Sequence, residues 1–415
     1  MHIQPLDNWH TVSNLPRHVN PACPYDIFSL FLTDELLETL TRHTNENAAL
    51  YYQKPLQQAA RSWVDTTPKE LLAYIATYIY MGLHPESDIV EYWNMDGSKG
   101  PLHPLVRRKI SLKRWQQLDR FFHISAPKGL QEQEQEQQHG NKVAIPAIFQ
   151  KLEPLNEHIR SAAKKYWNPT THLAVDECIQ RFQGRAKEKV KIPSKPTPEG
   201  FKIWALANNG YILDWPYHAR GIGPVDLDDY WTEDCGFPAT QAVVLDLLLQ
   251  AGIRNDSRHV VWLDNLFTSA RLLSTLRDEG FGAAGTVRTT RTKAELMAET
   301  VEDTQTSQQP SQQPSQQKSQ ESRKSRKSQQ RERNRGLDPS LAELKADFSG
   351  QIPWGKLYGC LSADGKVLQF AWKDQNVVLF MSTVSKGESI KAPPAATNVS
   401  KAILTSLRSY ERGLL

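Results

Sequence analysis

LAVDECIQRFQGRAKEKVKIPSKPTPEGFKIWAL, residues 173–206, is the stretch whose reading decides the fold. Its ends, LAVDECI and FKIWAL, are short apolar runs of strand length and strand composition. Between them lies a basic connection broken by Gly184, Pro193, Pro196 and Pro198, which cannot continue either strand. One acid, Asp176, sits inside the first run with Glu177 beside it. A carboxylate in an apolar strand is costly unless it holds a cation, pairs with a base or caps a turn.

Working outward, Asn208-Asn209-Gly210 leads into YILDWPYHA, so the first three runs read as an antiparallel meander. AVVLDLLLQAG (242–252) predicts a helix ended by Gly252, HVVWLDN (259–265) a buried strand, SARLLSTLRDEG (269–280) a helix ended by Gly280, and FGAAGTVR (281–288) a fifth strand. Three strands followed by strand, helix, strand predict a mixed α/β sheet covered by helices. In such a sheet the first strand can lie beside the fourth, which brings Asp176 next to Asp264, the acid that ends VVWLD.

Upstream, the first 125 residues read as helical. Thr67, Pro68 and Glu70 make a helix start with a capping box, and Leu71, Leu72, Ile75 and Ile79 share a face that reads as core. Ser111 caps a second helix that turns Leu112, Trp115, Leu118 and Phe122 inward and leaves Lys113, Arg114 and Arg120 on its surface. A further helix is predicted from Pro146 to Tyr166. QEQEQEQQHG (131–140) and the Gln/Ser/Lys/Arg-rich stretch 302–338 have nothing to bury and predict disorder. IPWGKLYGCLSADGKVLQFAWKDQNVVLFMSTV (352–384) predicts three strands, with Asp364-Gly365 as a hairpin turn, and one short helix closes the chain.

The whole composition bounds the rest. A formal charge of +4 over 415 residues permits a polyanionic partner without requiring one. Four scattered cysteines and twelve histidines show no zinc-ligand spacing, and no apolar run reaches the roughly 20 residues that span a bilayer. Arg185, Lys187, Lys189, Lys191, Lys195 and Lys202 cluster after Asp176, within reach of a phosphate backbone approaching it, although lysines also guard a solvated hairpin edge. SRKSRKSQQRERNR (322–335) reads as a nuclear import signal, an electrostatic tether or plain compositional bias. For the two acids, turn capping, a glycosidase-type acid/base pair and a two-metal phosphoryl-transfer site remain open.

Several motifs in order resemble the piggyBac transposase family. Asp176-Glu177, FQGR (182–185), IPSKP (192–196) and GFK (200–202) are similar to its DE pair, FxGR turn, basic IPxKP run and GxK strand. HVVWLDNLFTS (259–269) resembles its second block, an Asp-Asn pair before a Phe-Thr-Ser helix start. GTVR (285–288), IPWG (352–355), WKDQ (372–375) and FMSTV (380–384) follow in family order, and SLKRWQQLDRFFHIS (111–125) resembles its helical block. The resemblance runs from about Pro24 to Thr397.

What it implies is an RNase H-like mixed sheet with flanking helices, preceded by an α-helical domain and interrupted by a small β module. The implied divisions are an N-terminal arm (1–23), a helical DNA-binding and dimerisation-type domain (24–126), a linker (127–142), a connecting helix (143–170), a catalytic-type domain (171–290), a disordered loop (291–340), the β module (341–390) and a C-terminal remnant (391–415). The family site is a DDD triad on Mg²⁺ or Mn²⁺, with Asp176 and Asp264 as the first two catalytic and metal-ligating acids. The third belongs to a GGVDxxDQ-like motif that this sequence lacks; Glu411 is the only acid in its last stretch, NVSKAILTSLRSYERGLL. The family's Cys-rich zinc module is also absent. The resulting expectation is a nuclear, transposase-derived protein, ancestrally a metal-dependent cut-and-paste enzyme and inactive as the chain stands. Its partners would be double-stranded DNA (transposon ends and target) and a second copy or an intact relative. The alternative is a non-enzymatic DNA-binding or partner-binding protein, or a decayed reading frame.

Overall fold

The computed structural model describes residues 13–53, 63–127, 146–225, 227–287, 352–362 and 364–384. The low-complexity stretches, the closing helix and Glu411 lie outside them. The chain divides into two compact units, 14–166 and 167–415, the second taking in the first 13 residues.

The helical unit contains α1 (Pro24–Phe31), α2 (Asp34–Tyr52), α3 (Pro68–Leu83), a 3-10 turn (Ile89–Trp93), α4 (Pro104–Lys109), α5 (Leu112–Phe121), α6 (Ala147–Gln150) and α7 (Leu155–Tyr166). The predicted caps form, since Thr67 accepts from the Glu70 N–H and Ser111 from the Arg114 N–H. The Glu70 carboxylate itself goes to Arg114 (2.7 and 2.6 Å) and to the Thr66 hydroxyl (2.8 Å). Arg114 is therefore no solvated cation: it also lies 4.7 Å above the Trp63 ring. The buried row of α3 is Leu71, Tyr74 and Thr77, with Leu72 and Ile75 on its flank, while Ile79 is 49% exposed. An aliphatic count misplaces this face because Tyr74 buries a large ring while its hydroxyl donates to Asp119 at 3.2 Å. The single helix expected over 146–166 is two, because Pro154 cannot donate into a helical ladder.

The second unit is built on one sheet. Its strands are β1 (His172–Arg181), β2 (Val190–Lys191), β3 (Glu199–Asn208), β4 (Tyr211–Asp214), β5 (Tyr217–Ala219), β6 (Gly223–Pro224), β7 (Val260–Leu263), β8 (Gly282–Thr286), β9 (Leu357–Leu361), β10 (Leu368–Lys373) and β11 (Val377–Ser382). Their order is β6-β5-β3-β1-β7-β8-β11-β10-β9, with β2 and β4 also on β3. β1 and β3 are antiparallel, whereas β1, β7 and β8 run parallel, so the sheet is mixed as expected. Asn209 and Gly210, both at positive φ, make the tight turn between β3 and β4. YILDWPYHA is two strands rather than one, since Pro216 has no N–H to donate.

Two helices, α8 (Ala239–Gln250) and α9 (Ala270–Asp278), join the core around β7. α8 buries a continuous run from Gln241 to Leu248, which explains why VVLDLLL has no polar face. The strands of 352–384 do not stand as a separate sheet. β11 pairs antiparallel with β8, and Thr383 both donates its N–H to the Ala283 carbonyl and accepts from the Ala283 N–H, each at 2.9 Å. Among the described residues no helix is long and apolar enough to cross a membrane.

Candidate metal and nucleic-acid site

The register of β1 and β7 pairs Leu173 with Val261 and Val175 with Leu263. These four side chains enter the core on one face. The next residue on each strand points the other way. Asp176 and Asp264 therefore leave the sheet together.

Each acid makes a local bond. Asp176 Oδ1 accepts from the Glu177 N–H at 2.7 Å, and Asp264 Oδ1 from the Leu266 N–H at 2.7 Å. Asp264 thus caps its own turn, one of the structural readings open from sequence, and keeps a second carboxylate oxygen for another partner. Neither acid has an ion pair within 4 Å among the described residues. Burial pushes the Asp176 carboxyl above its ordinary range; the Glu177 N–H opposes this, and the neighbouring Asp264 charge raises it further. A half-buried carboxylate repelled by a second one is eased by a proton or a cation, and carboxylate oxygens are the donors a hard divalent ion takes. Among the described residues no cluster of three or more His, Cys, Asp or Glu side chains is placed to hold a metal.

Glu177 faces the opposite side, alongside its register partner Trp204. One carboxylate oxygen receives Lys202, the other Lys195 at 3.3 Å. Burial pushes the Glu177 carboxyl up, but the pull of Lys202 and Lys195 outweighs it and holds the group below its usual range. Lys202 is buried, its ammonium 3.8 Å over the Trp204 ring. His218 packs edge-on against Trp204, and burial together with the Lys202 charge pushes its imidazole down to about 4.

The six predicted DNA-contact cations thus divide. Lys195 and Lys202 are held by Glu177, Lys189 by Glu199 at 2.6 Å and the Gly184 carbonyl at 2.9 Å. Arg185, Lys187 and Lys191 are exposed and carry no ion pair among the described residues. An open cleft of about 430 Å³, lined by Arg181, Phe182, Gln183 and Gly184, lies at the start of this loop, away from the aspartates.

Several supporting residues are visible in the sequence only as motif letters. Gly200 sits where β1 and β3 approach so closely that a Cβ would stand 2.0 Å from the Gln180 carbonyl oxygen. A Cβ on Gly285 would meet Thr268 Oγ1 at 2.2 Å and the Leu263 carbonyl at 2.5 Å, just where Thr268 donates its hydroxyl to the Asp264 carbonyl (2.7 Å). Ser269 caps α9, and Phe267 packs edge-on against Trp204. His218 carries no motif signal at all.

The chain and its fold match known proteins. The family model described as Transposase IS4 matches residues 23–402. The chain belongs to this piggyBac-type transposase family. Human PiggyBac transposable element-derived protein 2 is 22% identical over 271 residues, 65% of this chain and 40% of that protein. Human PiggyBac transposable element-derived protein 3 is 24% identical over 267 residues, 64% of this chain and 40% of that protein. The matched regions thus span two fifths of these relatives. A piggyBac transposase, solved by cryo-EM as a synaptic complex with hairpin DNA, superposes with a TM-score of 0.65 at 18% identity, covering 97% of this chain and 68% of the other. The fold of this piggyBac-family chain is thereby the one its motifs imply.

Proposed function

We propose that this piggyBac-family protein binds double-stranded DNA through the exposed cations of its 182–199 loop and holds Mg²⁺ or Mn²⁺ between Asp176 and Asp264. The observation that carries the reading is the Val175–Leu263 register, which sets two carboxylates side by side with one of them already pushed toward its protonated form. A divalent ion bound there would lower the pKa of an attacking water or 3′-hydroxyl and neutralise charge on a phosphodiester, the chemistry of cut-and-paste transposition. Around it, Asp176 and Asp264 supply ligands, and Arg185, Lys187 and Lys191 grip phosphates without reading sequence.

Such sites use three carboxylates, and the described residues supply two. We read the protein as transposase-derived, binding DNA and metal in the nucleus without cutting DNA by itself, as a homodimer or paired with an intact relative. The structural neighbour is a synaptic complex with hairpin DNA, which supports the choice of ligand. The test is fluorescence anisotropy on a 30-bp duplex (roughly three turns) over a salt series, run beside a nicking assay with Mg²⁺ and Mn²⁺. Salt-sensitive binding without nicking is expected. Nicking abolished by Asp176→Ala would overturn the inactivity, and binding indifferent to salt would overturn the DNA reading.

A further inference from the structure

The sheet ends differently on its two sides. At one end stands β6, two residues long and carrying Pro224, which has no N–H to offer a further strand. At the other stands β9, the five residues LYGCL, with neither charge nor proline to blunt it. Which of its backbone groups stay open follows from the ladder with β10. Lys373 donates its N–H to the Lys356 carbonyl at 2.9 Å and Ser362 to the Val367 carbonyl at 2.8 Å, so the hydrogen-bonded positions are Lys356, Tyr358, Cys360 and Ser362. Leu357, Gly359 and Leu361 therefore turn their N–H and C=O groups away from β10, and among the described residues no strand receives them. The side chains alternate in the same way. Leu357 packs on the Leu368, Phe370 and Phe380 cluster, whereas Leu361, on the same face, is 55% exposed, and Tyr358, on the other face, is 36% exposed.

We infer that β9 is a dimerisation edge, which pairs antiparallel with β9 of a second copy of this chain about a two-fold axis at Gly359. A two-fold contact must be complementary to itself, and this edge is. Turned about Gly359, the outward N–H and C=O of Leu357 meet those of Leu361 of the second copy. The two Gly359 residues bond to each other at the axis, where no side chain holds the backbones apart. The same turn lays the second copy's Leu357 beside the exposed Leu361, once at each end of the strand, and carries the Phe370 cluster on from one copy to the next. On the other face Tyr358 stands opposite Cys360 of the second copy. Another extended peptide would satisfy the hydrogen bonds; a second copy also supplies the leucine that covers Leu361. Pairing consumes both β9 edges, so the assembly closes as a dimer and does not grow. The inference rests on the homodimer in the reading above and gives it a surface; it needs neither the DNA nor the metal.

The full chain, without DNA, is followed by sedimentation velocity from about 1 to 100 μM. A monomer–dimer equilibrium with a Kd of about 10–100 μM is expected, since a contact of one short strand is small. Leu361→Lys sets an ammonium against the second copy's Leu357. It is expected to weaken the dimer at least about tenfold and to leave the melting temperature of the monomer unchanged, because that side chain is exposed. Register is tested by cross-linking. Opposed residues of a non-hydrogen-bonded pair have Cα atoms about 4.5 Å apart, within disulfide range. Tyr358→Cys is therefore expected to form a disulfide-linked dimer through Cys360 of the second copy on mild oxidation, and to lose it when Cys360→Ser is added. A chain that stays monomeric throughout and is not cross-linked by Tyr358→Cys overturns the inference, with DNA and metal binding left to their own tests. A dimer that ignores Leu361→Lys, or a cross-link that survives Cys360→Ser, overturns the β9 edge and leaves the homodimer standing.

Discussion

Val175 and Leu263 are register partners on two parallel strands, and the residue after each is an aspartate. The pairing fixes the two carboxylates by backbone hydrogen bonds alone, without requiring either side chain to stabilise the sheet. Burial and the Asp264 charge keep the Asp176 carboxyl above its ordinary range, so ionising it costs more in the fold than in the unfolded chain. A carboxyl raised in this way adds stability below its unfolded pKa of about 3.9, and that stability is lost as pH rises through the folded value. Asp176→Asn is therefore expected to raise the melting temperature at pH 7 in the presence of a chelator. The gain should shrink toward pH 4, as differential scanning fluorimetry between pH 4 and 8 would show.

The close approach of β1 and β3 makes Gly200 irreplaceable. A Cβ there meets backbone oxygen, which cannot swing away as a side chain can. Gly200→Ala is expected to cost more than about 3 kcal/mol and to appear as insoluble or early-melting protein. Gly82, near the end of α3, has nothing within 4 Å of its own added Cβ. Gly82→Ala is expected to be neutral or to stabilise by up to about 1 kcal/mol, so the pair separates steric need from mere glycine content.

His218 makes the fold acid-sensitive. Its imidazole falls to about 4 because of burial and the Lys202 charge, so the unfolded chain binds a proton before the folded one does. The stability it contributes is present above pH 6.5 or so and is lost between there and pH 4. After allowance for its partial exposure, roughly 1 kcal/mol should go in that window. His218→Gln should flatten the stability profile over this range in urea titrations at pH 4.5 and 7. An unchanged difference between the two pH values would place the sensitivity elsewhere.

In the helical unit, Glu70 is held below its usual range first by the Arg114 hydrogen bonds. Arg114→Met is expected to destabilise by about 1–3 kcal/mol, because it strands a part-buried carboxylate and frees the Trp63 face. Arg114→Lys should recover less than half. An ammonium cannot reproduce the two-point fork onto Glu70 and the stacking together. Chemical denaturation of the three proteins gives the ordering.

How much of this is legible in the sequence follows from what each signal encodes. The mixed sheet, the α8 and α9 boundaries and the adjacency of Asp176 to Asp264 come from apolar runs, caps and chain order, all local quantities. The splits of 146–166 at Pro154 and of 211–219 at Pro216 are written in the sequence as proline, against a periodicity that runs on past each one. The place of β9, β10 and β11 in the same sheet is not readable, since it depends on β11 finding β8 across a long connection. Charge identity also misleads: Lys202 and Arg114 look like surface cations in a string of letters, and only the three-dimensional partners Glu177 and Glu70 show them engaged. Motif letters such as Gly200, Gly285 and Thr268 acquire a reason only when the atoms that would collide are in view.

The reading of the sheet as a metal site turns on Asp176 and Asp264 together holding a divalent cation. Titrating the full chain with Mn²⁺ and following free ion by electron paramagnetic resonance tests this most directly, with Asp176→Asn and Asp264→Asn as folded controls verified by circular dichroism. Wild-type protein is expected to remove Mn²⁺ from solution, and each variant to lose this binding. Equal Mn²⁺ binding by all three proteins, or none by the wild type, would contradict it.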